Sequence, residues 1–160
     1  EKVIKQKQDT IKNFCKKIRI IKKFSSSSDI KVFARIESFI VKKGLNDALL
    51  RAKEYITSGT DGIMIHSNQK TPSEIFKFCK EYNGFKNRVP LIVAPSTYDK
   101  TYEKEFEKNG VNIVIYANQL IRSAIPSMKK TAEKILKYER SSDVSNEIMS
   151  IKEILKLLDQ

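Results

Sequence analysis

Two cysteines and a single histidine are all the thiol and imidazole groups this 160-residue chain carries. Cys15 and Cys79 stand alone inside helical patterns with no Cys-x-x-Cys spacing, which excludes a disulfide framework and a zinc site and leaves both as small buried hydrophobes. No apolar run approaches the roughly 20 residues that a membrane span requires, and the N-terminus is Lys-rich and polar with no signal-peptide core. The expectation is a soluble, cytoplasmic protein with no membrane partner. Glycine patterns that cradle phosphates are missing as well, since neither a P-loop nor Gly-x-Gly-x-x-Gly occurs. No serine has a readable partnership with a histidine and an aspartate, so nucleophilic catalysis is unsupported.

What remains is an apolar and strongly basic chain. At 40% hydrophobic residues and 160 in length, it suits one domain with a sizeable core and is too short for two ordinary ones. Residues 1–140 read as that domain, and 141–160 as a polar linker and a last helix. The net charge of +12 would suit a phosphate backbone. Its distribution argues against nucleic acid, because the lysines are spread over every predicted helix and are paired with glutamates three or four residues away, as Glu103, Glu105 and Glu107 are with Lys104 and Lys108. A small anionic substrate is the milder implication.

In chain order, Ile11, Phe14, Cys15, Ile18 and Ile21 mark one face of a helix within residues 1–24, stopped by the serines at 25–28. Residues 30–37 then form an apolar, β-branched run that suits a strand covered on both faces. Asn46 or Asp47 can cap a helix whose inner side carries Ala48, Leu49, Ala52, Tyr55 and Ile56, with Gly59 closing it. A second strand spans 61–66. The next helix opens at Thr71-Pro72-Ser73-Glu74 and buries Ile75, Phe76, Cys79 and Tyr82. A third strand spans 89–94, a helix 101–108 and a fourth strand 111–117. Residues 119–139 predict a long amphipathic helix with Leu120, Ile121, Ala124, Ile125, Met128, Ile135 and Leu136 inward, and Pro126 inside it predicts a kink or break. Ile148, Ile151, Ile154, Leu155 and Leu158 on the last helix need a partner surface.

Each strand hands over to its helix through a polar residue: Arg35 and Glu37, then His66, then Ser96 and Thr97, then Asn118. In parallel α/β folds those strand ends share one edge, where active sites sit. Four strand–helix units make half of an eight-unit barrel or a small doubly wound sheet. Arg35 and Glu37 are two residues apart on a strand and share a face, so they either neutralise each other or meet one ligand. Arg35 has the fork geometry for a carboxylate or phosphoryl group. His66, taken alone, is more often a hydrogen-bonded structural residue, and Asn118 a helix cap.

The motifs Ala34-Arg35-Ile36-Glu37-Ser38, Asp61-Gly62-Ile63-Met64-Ile65-His66-Ser67, Val93-Ala94-Pro95-Ser96-Thr97-Tyr98 and Ile115-Tyr116-Ala117-Asn118 resemble, in this order, the phosphoenolpyruvate mutase family of the isocitrate lyase superfamily. The resemblance runs from about residue 30 to the C-terminus and includes Ile148-Met149-Ser150-Ile151. It implies the C-terminal half of a (βα)8 TIM-type barrel, with a tail helix that packs on a neighbouring subunit of a homo-oligomer. It also implies interconversion of phosphoenolpyruvate and phosphonopyruvate, the entry to carbon–phosphorus compounds, with Mg²⁺ as cofactor. Arg35 and His66 would be the catalytic and substrate-binding residues, Asn118 a further substrate contact, and Glu37 and Ser96 supports behind them. The Asp-x-Asp metal site and gating loop of that family do not precede Arg35, so the resemblance implies that the Mg²⁺ ligands are not in this chain and that the piece alone is inactive. Its rivals are a phosphonopyruvate hydrolase, a carboxylate lyase of the same superfamily, and a non-catalytic binding or assembly module.

Overall fold

The computed structural model describes residues 7–25 and 28–158. Helix α1 (Ile11–Ser25) leads into β1 (Phe33–Ile36), α2 (Gly44–Thr57), β2 (Gly62–Ile65), α3 (Ser73–Tyr82), β3 (Leu91–Val93), α4 (Glu103–Lys108) and β4 (Ile113–Val114). Helix α5 (Gln119–Tyr138), a 3-10 turn (Ser142–Val144) and α6 (Ile151–Leu158) follow. The chain divides into two compact units, 1–117 and 118–160. The predicted helical residues 1–6, Ser26, Ser27 and the side chain of Leu158 lie outside the described residues.

In the first unit the strands are all parallel and lie in the order β1-β2-β3-β4. Strand–helix–strand crossovers are right-handed, so a sheet that always grows at the same edge puts every connecting helix on one face. A doubly wound sheet requires a reversal of strand order, and none occurs here. The order therefore selects the barrel-type arrangement, of which four strands with flanking helices are a part.

Register assigns the two faces. Ala34, Ile63 and Leu91 lie side by side, as do Ile36 and Ile65, and with Val93 these are almost completely buried under the helices. Against them pack Ala48, Ala52 and Tyr55 of α2, Ile75, Phe78, Cys79 and Tyr82 of α3, and Phe106 of α4. The stripe of α3 thus runs through Phe78, while Phe76 is only half-buried and meets the Phe106 ring edge-on. The opposite face carries Phe33, Arg35, Met64, Ile92 and Ile113. Strand β1 is consequently not covered on both faces: it alternates exposed and buried, with Phe33 43% exposed. Edge position on an open sheet explains this, since nothing among the described residues lies beyond β1.

Helix α1 packs on α2 through Phe14 against the Tyr55 ring, 4.6 Å between centroids, and buries Cys15 and Ile18. Its stripe then drifts, as a 3.6-residue period must, so that Lys22 and Ser25 continue it and Ile21 is left exposed. Lys22 Nζ donates to both oxygens of Asp61 at 2.8 Å, which itself accepts the Val32 N–H at 2.6 Å and ties the starts of β1 and β2. Gly59, at φ +95°, ends α2 in the left-handed conformation that favours glycine. Neither Asn46 nor Asp47 caps α2; the helix begins earlier, at Gly44, and Asp47 has another use described below.

In the second unit α5 runs through Pro126 without a break. Proline removes one helical bond, and the Arg122 carbonyl it frees is on an exposed helix where water can replace the missing N–H. The apolar residues predicted inward on α5 are instead exposed or partly exposed, none of them buried. Val144 of the 3-10 turn is fully buried, and Glu147 ties back to α5 by ion pairs with Lys130 at 3.1 Å and with Lys134. Among the described residues no helix is long and apolar enough to cross a membrane.

Burial also dictates a pH dependence. Tyr82 sits fully buried with its hydroxyl donating to the Val89 carbonyl at 2.8 Å and accepting the Val89 N–H at 3.2 Å. Burial pushes Tyr82, Tyr98 and Cys79 each up to about 12, from ordinary values of 10.0, 10.0 and 9.0. All three are raised, so the stability they confer is whole below about pH 9 and falls as pH rises toward 12, where the unfolded chain has already released those protons. Urea unfolding should show a midpoint that is level through neutral pH and declines over that alkaline window. Tyr82→Phe, which strands both Val89 backbone groups, should lower the unfolding free energy by about 1–3 kcal/mol at pH 7.

Candidate functional site

Strands β1 and β2 end side by side, and the residues they present converge. Arg35 leaves the open face of β1 and forms an ion pair from Nε to Oε1 of Glu37. Its Nη2 reaches His66 Nδ1, 2.7 Å away at the end of β2. The same Nδ1 lies 3.2 Å from Glu37 Oε2. Arg35 is 48% exposed at its side chain, whereas Glu37 and His66 are 18% and 24% exposed. The cation is thus the accessible member of the cluster, and the other two hold it from below. A guanidinium offers five donors, so one held at Nε and one Nη still has N–H groups free for an incoming anion.

The loops beside this cluster are fixed by hydroxyl groups. Ser67, fully buried next to His66, donates its hydroxyl to Glu74 Oε2 at 2.6 Å and accepts the Gln69 N–H at 3.1 Å. Thr97 donates to the Ser67 carbonyl at 3.3 Å, so the loops after β2 and β3 are joined. Ser96 is half-buried in the β3 loop, its N–H on the Ala94 carbonyl at 2.8 Å, and no hydrogen bond among the described residues links it to Arg35, Glu37 or His66. Asn118 opens the second unit as the residue before α5; its side chain makes no capping bond, and its N–H donates to Gln119 Oε1 at 3.1 Å.

One element of the site escapes pattern reading. Arg51 is 2% exposed. Its Nε donates to Asp47 Oδ2 at 2.8 Å, and its Nη1 to the Tyr55 hydroxyl and to the Asp9 carbonyl, both at 2.9 Å. The same Asp47 oxygen accepts the hydroxyl of Ser38 at 2.6 Å. Ser38 directly follows Glu37, and the turn closes with the Lys43 N–H on the Ser38 carbonyl at 2.8 Å. The pair of buried Arg51 and half-buried Asp47 therefore anchors the turn from which Glu37 projects. The signal available in the sequence was the i,i+4 spacing of Asp47, Arg51 and Tyr55. Such spacing ordinarily marks a solvated face, and only tertiary packing buries it.

The cluster does not fit a magnesium ion. Among the described residues no group of three histidine, cysteine or acidic side chains is placed to hold a metal. A hard cation needs several oxygen ligands, and Glu37, the carboxylate in the cluster, already faces Arg35 and His66.

A charged cluster at the carboxyl edge of a singly wound parallel sheet is the layout of a TIM-barrel-type fold, here in part. The family model described as phosphoenolpyruvate phosphomutase matches residues 2–136, and the chain belongs to that family. It is 38% identical over 153 residues to a phosphoenolpyruvate phosphomutase of Tetrahymena pyriformis, covering 96% of this chain and 50% of that protein. The crystal structure of a phosphoenolpyruvate phosphomutase from Streptomyces platensis subsp. rosaceus is similar at a TM-score of 0.88 and 28% identity, over 96% of this chain and 53% of that one. A phosphonopyruvate hydrolase in complex with oxalate and Mg²⁺ is similar at a TM-score of 0.85 and 33% identity, over 96% and 54%. The chain spans about half the length of the curated relatives it matches.

Burial raises the Asp47 carboxyl, but the Ser38 hydroxyl and the Arg51 guanidinium outweigh it and hold the group below its ordinary 3.8. A lowered carboxyl stabilises the fold above pH 4 and loses that contribution as pH falls through the lowered value. Asp47→Asn leaves Arg51 buried without its counter-charge, and should lower the unfolding free energy by about 2–4 kcal/mol at pH 7. In urea titrations the gap from the parent should narrow as pH falls below 3.8 and through the lowered value; equal stability at pH 7 would show that the network carries no weight.

Proposed function

We propose that this chain is the part of a phosphoenolpyruvate phosphomutase that carries the phosphoryl-handling side of the site. The observation that carries the reading is the 2.7 Å approach of Arg35 to His66 across two adjacent strand ends, at positions that match the family's motifs. In the proposed reaction the phosphoryl group leaves the enol oxygen of phosphoenolpyruvate and bonds to C3, while the enol oxygen becomes the ketone of phosphonopyruvate. No proton is gained or lost overall. Phosphoryl transfer is catalysed by placement and charge neutralisation. Arg35 supplies a permanent cation for the phosphoryl oxygens, His66 a hydrogen bond beside it, and Glu37 holds Arg35 in line. Asn118 is a further substrate contact and Ser96 a support of the β3 loop.

A Mg²⁺ ion, which the family resemblance implies, would draw its ligands from residues outside this chain, so no step here passes through it. The 160 residues alone are therefore expected to be inactive in a coupled assay that follows phosphonopyruvate to phosphoenolpyruvate and on to lactate; turnover would refute this. In a full-length polypeptide carrying this sequence, Arg35→Ala should lower kcat/KM by about 10²–10³-fold, the usual loss when one charge-stabilising donor is removed. Retention of the parent rate would remove Arg35 from the mechanism.

A phosphonopyruvate hydrolase is a second reading, since a structure of that name is 33% identical over 96% of this chain. Release of inorganic phosphate and pyruvate without phosphoenolpyruvate would select it. The exposed apolar residues of the last helix, Ile151 at 77% and Leu155 at 54%, support self-association. Removing residues 144–160 should then lower the mass measured by light scattering, and an unchanged mass would count against an oligomer built on this helix.

A further inference from the structure

His66 Nδ1 is shared by two groups with opposite demands. Arg35 Nη2 approaches it at 2.7 Å and Glu37 Oε2 at 3.2 Å. A guanidinium can only donate and a carboxylate can only accept. An imidazole nitrogen offers either a lone pair or an N–H, so Nδ1 satisfies Arg35 when bare and Glu37 when protonated, never both. In the arrangement observed the Arg35 contact is the shorter, and the ion pair from Arg35 Nε keeps Glu37 occupied at Oε1. Neutral His66 so placed has a bare Nδ1 and carries its proton on Nε2.

We infer that Arg35 and Glu37 form a tautomer switch on His66. With Arg35 docked on Nδ1, Nε2 is a hydrogen-bond donor. When Arg35 moves off, Glu37 is left facing Nδ1 without its cation, and the proton is held on Nδ1 instead. The change is a tautomerisation through solvent: one proton leaves Nε2, one arrives at Nδ1, and the net charge is unchanged. Nε2 becomes an acceptor. The accessible member of the cluster is the one that must move, since Arg35 is 48% exposed while Glu37, at 18%, stays anchored beside the buried Ser38. The charged groups that meet His66 across the strand ends are Arg35 of β1 and Glu37 just past it. On its own loop Ser67 engages Glu74 of α3, and the β3 loop contributes Thr97 through the Ser67 carbonyl. Neither is a rival for Nδ1.

If the site takes an anion as proposed above, the anion is what would draw Arg35 away, and its arrival would set the proton on His66. The identity of that anion rests on the proposed function; the switch does not. His66 is the only histidine in the chain, so its imidazole ¹⁵N and ¹H resonances need no assignment. In the parent chain at a pH where His66 is neutral, long-range ¹H–¹⁵N spectra should show the Nε2–H form. Arg35→Met should reverse this to Nδ1–H, because only Glu37 then faces Nδ1. Adding Glu37→Gln to Arg35→Met should abolish the preference for Nδ1–H, while Glu37→Gln alone keeps Nε2–H. A parent already in the Nδ1–H form, or an Arg35→Met variant that remains Nε2–H, overturns the switch. Both results are read without turnover, so they stand apart from the activity of Arg35→Ala, whose failure would count against the mutase reading alone.

Discussion

The structure depends on the one-way growth of its sheet. Each strand is added to the same edge, parallel to the last, and each crossover is right-handed. Helices α2, α3 and α4 are thereby confined to one face, where Ile63, Leu91, Val93, Phe78 and Tyr82 close a core with little or no exposure. The other face is left to Phe33, Arg35, Met64, Ile92 and Ile113. Because the strands are parallel and in register, β1 and β2 also end level with each other, so that the charged residues just past them need to reach only a few ångströms to meet.

An ion pair and a binding site are usually weighed as alternatives, and in the proposed reading one arrangement serves as both. Arg35 and Glu37 do neutralise each other, but at an exposed edge such a pair is weakly held. Buried, it would be costly to separate; half-open, it keeps the arginine in position while leaving it free to exchange partners. Rigidity is supplied one residue further on, where Ser38, Asp47 and Arg51 make a largely buried network reaching the Asp9 carbonyl. Glu37, against which Arg35 rests, thus projects from an anchored turn.

Much of this could be read from residue order. The alternation of strands and helices, the polar residue at each strand end and the family motifs were all legible, because each is local. Failures occurred where burial depends on what lies across the fold. Residues 30–37 are apolar enough for a strand covered on both sides, yet β1 is an edge strand, and composition does not report edges. Ile21 fits a three-four spacing but falls off the stripe of α1 once the period drifts. Pro126 removes a hydrogen bond, which an exposed helix can lose to water without breaking. Arg51 looks solvated by its spacing and is among the most buried charged groups.

By itself the sequence determined which elements form, which side chains stand at their ends and the family to which the chain belongs, since period, turn residues and motifs are set by near neighbours. Tertiary structure decided the strand order, how far each strand is buried and the meeting of Arg35 with His66, 31 positions apart. It also decided that Arg51 is tied to a carbonyl 42 positions away. These are outcomes of non-local hydrogen bonding and burial. A 2-residue or 3.6-residue period sets the face on which a side chain lies, and only the packed sheet sets what that face meets.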